Sequence, residues 1–206
     1  MRTDVRTAKR VASASQPISG PHIVLGLGLG GFFDGIVLHQ ILQWHHILTS
    51  GYPPTTVENL KLNTLADGLF HAATYVFVVA GLLWLWRQAN QPQRRWDAKG
   101  FFGGLLLGWG IFNLVEGLIN HQLLGIHHVN ETVPQSQWLW WDGGFLVWGA
   151  VMLVAGWLMV RASQRRERLI GARLIGFVVR GLPLLLFQLL GLLLPKKQLF
   201  LNRHGL

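Results

Sequence analysis

Cysteine is absent from the 206 residues. Disulfides, thiolate metal sites and cysteine nucleophiles are therefore excluded. Charge is scarce as well. Asp, Glu, Lys and Arg make up 13% of the chain, against roughly a quarter in soluble proteins. Only three methionines occur, which disfavours a soft Cu(I) site. Acids are the rarer sign, nine against 18 Lys and Arg. In a soluble protein the resulting charge of +9 would suggest nucleic acid. Here the basic residues flank apolar runs, and no soluble basic domain of useful size remains, so no nucleic-acid partner is expected.

Apolar residues are plentiful. They form 50% of the chain, with 25 Gly and ten Trp, types favoured in membrane helices and at their interfaces. A membrane helix needs about 20 mostly apolar residues, and four stretches qualify: about 23–46, 64–86, 101–126 and 138–160. The first starts too far from the N-terminus, and is too polar, to read as a cleaved signal peptide. Lys and Arg cluster in the N-terminal tail, in the second connection (Arg87, Arg94, Arg95, Lys99) and after the fourth stretch (Arg161, Arg165, Arg166, Arg168). The first connection carries only Lys61, and 127–137 has no Lys or Arg. The positive-inside rule then places the N-terminus in the cytoplasm and turns the first and third connections outward.

This reading divides the chain into a tail at 1–20, a four-helix transmembrane domain at 21–162 and a C-terminal segment at 163–206. Arg166, Arg173 and Arg180 recur every seven residues and so share one face of a basic amphipathic helix suited to a membrane surface. A fifth span at 174–194 is the alternative, at the cost of taking Arg180 and Pro183 into the bilayer.

A repeat underlies the bundle. Asp34-Gly-Ile-Val-Leu-His39-Gln-Ile-Leu-Gln-Trp-His45-His46-Ile47 aligns with Glu116-Gly-Leu-Ile-Asn-His121-Gln-Leu-Leu-Gly-Ile-His127-His128-Val129 at a constant offset of 82, and six of the fourteen positions are identical. Asp67-Gly-Leu-Phe70 similarly matches Asp142-Gly-Gly-Phe145 at an offset of 75. The expected fold is all-α: an integral membrane four-helix bundle made of two repeated helical hairpins. Helices one and three run the same way, so the pseudo-twofold axis lies along the membrane normal.

The repeat gathers the expensive residues. His39, His45, His46, His71, His121, His127 and His128 lie in or beside it, with Asp34, Asp67, Glu116 and Asp142. On α-helical geometry Gly35, His39, Leu42 and His46 form one stripe, repeated by Gly117, His121, Leu124 and His128, while Asp34 with His45 and Glu116 with His127 lie on a neighbouring stripe. At 1.5 Å per residue, His39, His71 and His121 share a level roughly 12 Å below the outer boundary. Asp67 and Asp142 lie above that level, and Asp34 and Glu116 lie below it. An ionised carboxylate at mid-membrane costs about 3 kcal/mol on insertion scales, so protonated His, water or a metal ion must offset it. Four readings stay open: a metal site of Fe, Cu or Zn type, a haem held by His39 and His121, a proton or ion path, and structural ion pairs. The His45-His46 and His127-His128 pairs read equally as interfacial caps or as outer ligands. Asp142 reads as an acid at a helix N-terminus.

The paired Asp-Gly-x3-His-Gln-x4-His-His and Glu-Gly-x3-His-Gln-x4-His-His blocks resemble those of a bacterial family of four-helix membrane proteins of unknown function. Gly51-Tyr-Pro-Pro, Thr64-Leu-Ala-Asp-Gly-Leu-Phe-His71 and Phe112-Asn-Leu-Val-Glu116 fit the same family. The resemblance covers about residues 20–162. It implies metal handling near cytochrome c oxidase assembly proteins, with which some relatives are associated. The chain is thus expected in the bacterial plasma membrane, with the bilayer and respiratory oxidase or its assembly factors as partners. The expected metal site comprises His39, His71, His121, Asp34, Glu116, His45, His46, His127, His128 and Asp67. A metal-dependent membrane oxidoreductase with a di-metal or haem centre is the rival from the enzyme class.

Overall fold

The computed structural model describes residues 20–91 and 97–193. Four long helices carry the chain: α1 (Gly20–Phe33), α2 (Val57–Ala89), α3 (Ala98–Glu116) and α4 (Trp138–Leu193). Among the described residues there is no strand. Asp34–Ile41 continues α1 as a π-helix, and Gly117–Leu123 continues α3 in the same way. Four segments are long and apolar enough to cross a membrane, at Gly20–Ile41, Val57–Ala89, Ala98–Leu123 and Gln135–Arg166.

These boundaries correct the expected ones. The first and third spans stop at Ile41 and Leu123, short of residues 46 and 126. The reason is local: at Gln43 (φ 51°) and Gly125 (φ 56°) the backbone turns left-handed, at equivalent positions of the repeat. The second span starts seven residues earlier than hydropathy suggests, because the Thr56 side chain accepts from the Asn59 N–H and caps α2 ahead of its apolar part. Asp97 caps α3 in the same manner, accepting from Gly100.

The chain forms two compact units, Met1–Arg165 and Arg166–Leu206. The first contains the bundle. Within it α1 and α3 are the inner pair: over their most apolar windows 56% and 39% of residues are buried, against 11% for α2 and 22% for the fourth span. Glycine permits this. A Cβ on Gly26 would run into the Leu105 carbonyl, and one on Gly108 into that of Ile23, so backbone meets backbone at the crossing. The contact is reciprocal under the 82-residue offset. α2 and α4 flank the pair and turn rows of large apolar side chains outward, among them Leu65, Leu69, Val76, Leu83, Val147, Val151 and Leu158, as lipid-facing helices do. The expected basic amphipathic C-terminal segment and the alternative fifth span rest on side chains outside the described residues.

Candidate metal centre

The acid of each repeat stands five residues before its deep imidazole. On an α-helix that spacing separates two side chains by about 140°. The π-helical turn, with bonds from i to i+5, brings them onto one face. His39 Nε2 accordingly lies 3.2 Å from Asp34, and His121 Nε2 lies 3.1 Å from Glu116. On the other side each ring faces an acid of a flanking helix: His39 Nδ1 donates to Asp67 at 2.9 Å, whereas His121 Nδ1 lies 3.7 Å from Asp142, beyond hydrogen-bond distance. A carboxylate behind an imidazole fixes its orientation and raises its basicity as a ligand.

Beyond the π-turns the loops fold inward. His45 and His127, expected at helix ends, are among the most buried residues, at 2% and 0% exposure. Their rings stack with centroids 4.5 Å apart and planes 6° from parallel. Each anchors on the opposite loop. His45 Nδ1 donates to the Val129 carbonyl at 2.8 Å, and His127 Nδ1 donates to that of Ile47 at 3.1 Å. The 82-residue offset converts one bond into the other. With Nδ1 committed to a carbonyl, His45 Nε2 is left as a lone pair pointing into the cluster. Burial, reinforced by the imidazoles of His127 and His39, holds His45 well below the ordinary value of 6.5.

His46 and His128 turn away from the stripes expected of them, because the helices have already ended. Both cap the outer acids instead. His46 Nδ1 donates to Asp67 at 2.6 Å and His128 Nδ1 to Asp142 at 2.7 Å, while the N–H groups of Ile47 and Val129 donate to the same two carboxylates at 3.0 Å. Asp142 is 1% exposed and receives Gln122 as well. It is part of the cluster, and its expected role as a surface acid at a helix N-terminus is corrected. The repeat itself carried the missed signal, since Asp142 aligns with Asp67.

His71 stands apart from the level predicted for it. It is half-buried between Phe32 and Phe70, against Gly35, and joins neither ligand group below. Leu146 occupies the equivalent place against Gly117. The halves are therefore alike in packing here and unlike in chemistry.

Four imidazoles and two acids converge at the centre. His39 lies 4.4 Å from His45 and 5.9 Å from His127, and His121 lies 6.2 Å and 4.8 Å from the same two rings. Two triads present donor atoms within 4.8 Å of one another: His39, His45 and His127, and Glu116, His121 and His127. Four ligands at the 2.0–2.1 Å typical of Zn–N bonds are roughly 3.4 Å apart in a tetrahedron, so side-chain rotations of under an ångström or two close either triad.

Residues 21–163 match the family described as "Predicted membrane protein (DUF2243)". The chain belongs to this DUF2243 family. No curated protein and no solved structure matches it. Membership agrees with the four membrane-crossing helices, and the matched region contains every member of the His/carboxylate cluster. This DUF2243 chain is a multi-pass membrane protein with that cluster embedded at one end of its bundle.

Proposed function

We propose that this protein is a membrane metalloprotein whose outward-facing centre binds one divalent transition-metal ion through imidazole and carboxylate groups. One observation carries the reading. Nε2 of His45 and Oε2 of Glu116 are fully buried without a hydrogen-bond partner where the imidazoles meet, and Oδ1 of Asp34 is buried unpaired while its Oδ2 has His39 Nε2 at 3.2 Å. Buried acceptors left unpaired are costly, and here they face each other. His127 has committed Nδ1 to a carbonyl, yet its Nε2 lies 2.9 Å from Glu116. Two lone pairs at that distance repel unless a proton or a cation lies between them. A cation held by His127 relieves that contact and, in one triad or the other, also satisfies His45 or Glu116, which a single proton does not.

The packing also weighs between the alternatives. A haem held by His39 and His121 would need a flat slot between them, where the rings of His45 and His127 already stand. The di-metal alternative requires both triads to be filled at once. They share His127 Nε2, whose single lone pair serves one ion, so the triads are alternative positions for one metal. Nitrogen and carboxylate donors without thiolate suit Zn, Fe or Cu(II). The metal would polarise whatever occupies its open position, and the protein's own part is to hold the imidazoles by Asp67 and Asp142. The positive-inside distribution supports an outward-facing orientation for this end of the bundle, the orientation that metal handling beside a respiratory oxidase would use.

The test is elemental analysis with an absorption spectrum of the purified protein. The expected result is close to one equivalent of Zn, Fe or Cu per chain and no Soret band. His39→Ala and His121→Ala, each of which breaks one triad, should both weaken its binding. Well-folded protein that takes up none of these ions would favour a proton path through the same residues.

A further inference from the structure

The two repeats treat the approach to the centre differently. In the second, the Gln122 amide donates to Asp142 at 3.2 Å, and the His128 ring stacks on Trp138 with centroids 4.5 Å apart. In the first, the equivalent Gln40 and His46 line a cavity of about 780 Å³, whose wall also includes Thr132 and Trp138 from the second outer connection. The cavity reaches His39, His45 and Asp67 at its inner end, and Ser50 and Glu131, hydrogen-bonded to each other at 2.8 Å, also line it. Its lining includes two carboxylates and three imidazoles but no Lys or Arg. Buried His45, with Nε2 unpaired, stands at the inner end.

We propose that this cavity captures a hydrated divalent transition-metal cation and delivers it to the buried imidazoles from the first repeat's side only. The proposal rests on the metal-centre reading above. The sign of the lining selects a cation over an anion. The volume is many times the ~30 Å³ share of one water, so the ion enters with its shell. Donors then become softer along the way: the Glu131 carboxylate oxygen comes first, then His46, whose Nδ1 is committed to Asp67 and whose Nε2 remains, and then Nε2 of His39 and His45. Water is exchanged for nitrogen in steps, so that no single step strips the ion bare.

The absence of cysteine makes the test clean. Thr64 lines the cavity and is exposed, whereas Leu139, its counterpart in the second repeat, is 71% exposed and does not line it. Thr64→Cys and Leu139→Cys each introduce a single thiol on folded, full-length protein in nanodiscs. The thiol is modified with a cationic methanethiosulfonate reagent. Zn²⁺ uptake by metal-free protein is then followed from a chromophoric chelator. Modified Thr64→Cys protein should load at least tenfold more slowly while reaching the same Zn²⁺ content, and removing the adduct with a reductant, itself then removed, should restore the rate. Modified Leu139→Cys protein should load at the unmodified rate. Equal rates for the two modified proteins would overturn the one-sided entry and leave the metal centre standing. Failure of unmodified protein to take up Zn²⁺ would sink both.

Discussion

The first and second repeats arrange the same imidazoles around different acids. His39 and His121 each lie between an inner and an outer carboxylate, and His45 and His127 exchange bonds across the axis. Yet Glu116 reaches two imidazoles, His121 and His127, whereas Asp34 lies against His39 alone. One methylene separates those outcomes. A second difference is His71 against Leu146, and a third is that Gln40 and His46 line an open cavity whereas Gln122 bonds Asp142 and the His128 ring is stacked on Trp138. Duplication supplied a symmetric frame. These differences gave the centre a more strongly bonded side and a more accessible side.

The severest way to break this comparison is at the residue both triads share. His127→Ala should reduce bound metal to background, while His45→Ala, which touches one triad, should keep a weaker site. Metal content per chain after exhaustive dialysis distinguishes them, and equal loss from both variants would mean that the two sides contribute alike. Next is the methylene itself. Glu116→Asp should withdraw the carboxylate from His127 and weaken Zn²⁺ binding at least about tenfold. Asp34→Glu should leave it intact or tighter. Competition against a chelator measures both, and a smaller loss in Glu116→Asp than in Asp34→Glu would reverse the assignment of the stronger side.

Protonation provides a third test, on metal-free protein. His45 is held below its unfolded value of 6.5, so below that pH the unfolded chain binds the extra proton. Its contribution to stability is complete above pH 6.5 and is lost as pH falls toward the folded value, at up to about 1.4 kcal/mol per pH unit. Thermal midpoints in detergent between pH 7 and 5 should therefore fall less steeply in His45→Gln than in the wild type. The smallest effect concerns the turns. Gln43 and Gly125 share a left-handed backbone, which costs a side-chain-bearing residue about 1–2 kcal/mol. Gly125→Ala should lower the thermal midpoint by a few degrees, and Gln43→Gly should hold or raise it. Equal shifts of the same sign would show that the two turns are not equivalent.

Much of the site was legible because bilayer insertion makes ionisable residues conspicuous. Asp34, Glu116, His39 and His121 stood out as residues too expensive to be incidental, and the repeat paired them correctly. Gly26 and Gly30 stand four residues apart, a small-residue spacing that suits close helix approach, and Gly26 meets the Leu105 backbone. The places where α-helical geometry misled are equally specific. It carried α1 through to His46, and so put His45 and His46 on helix faces they do not occupy. A π-turn has no distinctive composition: Asp34–Ile41 reads as helix by any propensity, and the extra residue per turn is decided by the bonds the acid and imidazole make. Asp142 opens the fourth apolar stretch, where an acid suits a helix N-terminus, so only its alignment with Asp67 points to the cluster.

The number of spans, their pairing into two hairpins and the inventory of imidazoles and acids were determined by the order of residues alone. Hydropathy and an exact offset are one-dimensional properties that survive without a fold. Which nitrogen faces which oxygen was settled only when the two loops crossed the axis. His45 meets Val129 across 84 positions of chain and His127 meets Ile47 across 80, and contacts at that separation depend on how close the glycine-lined helices come, a distance set by packing.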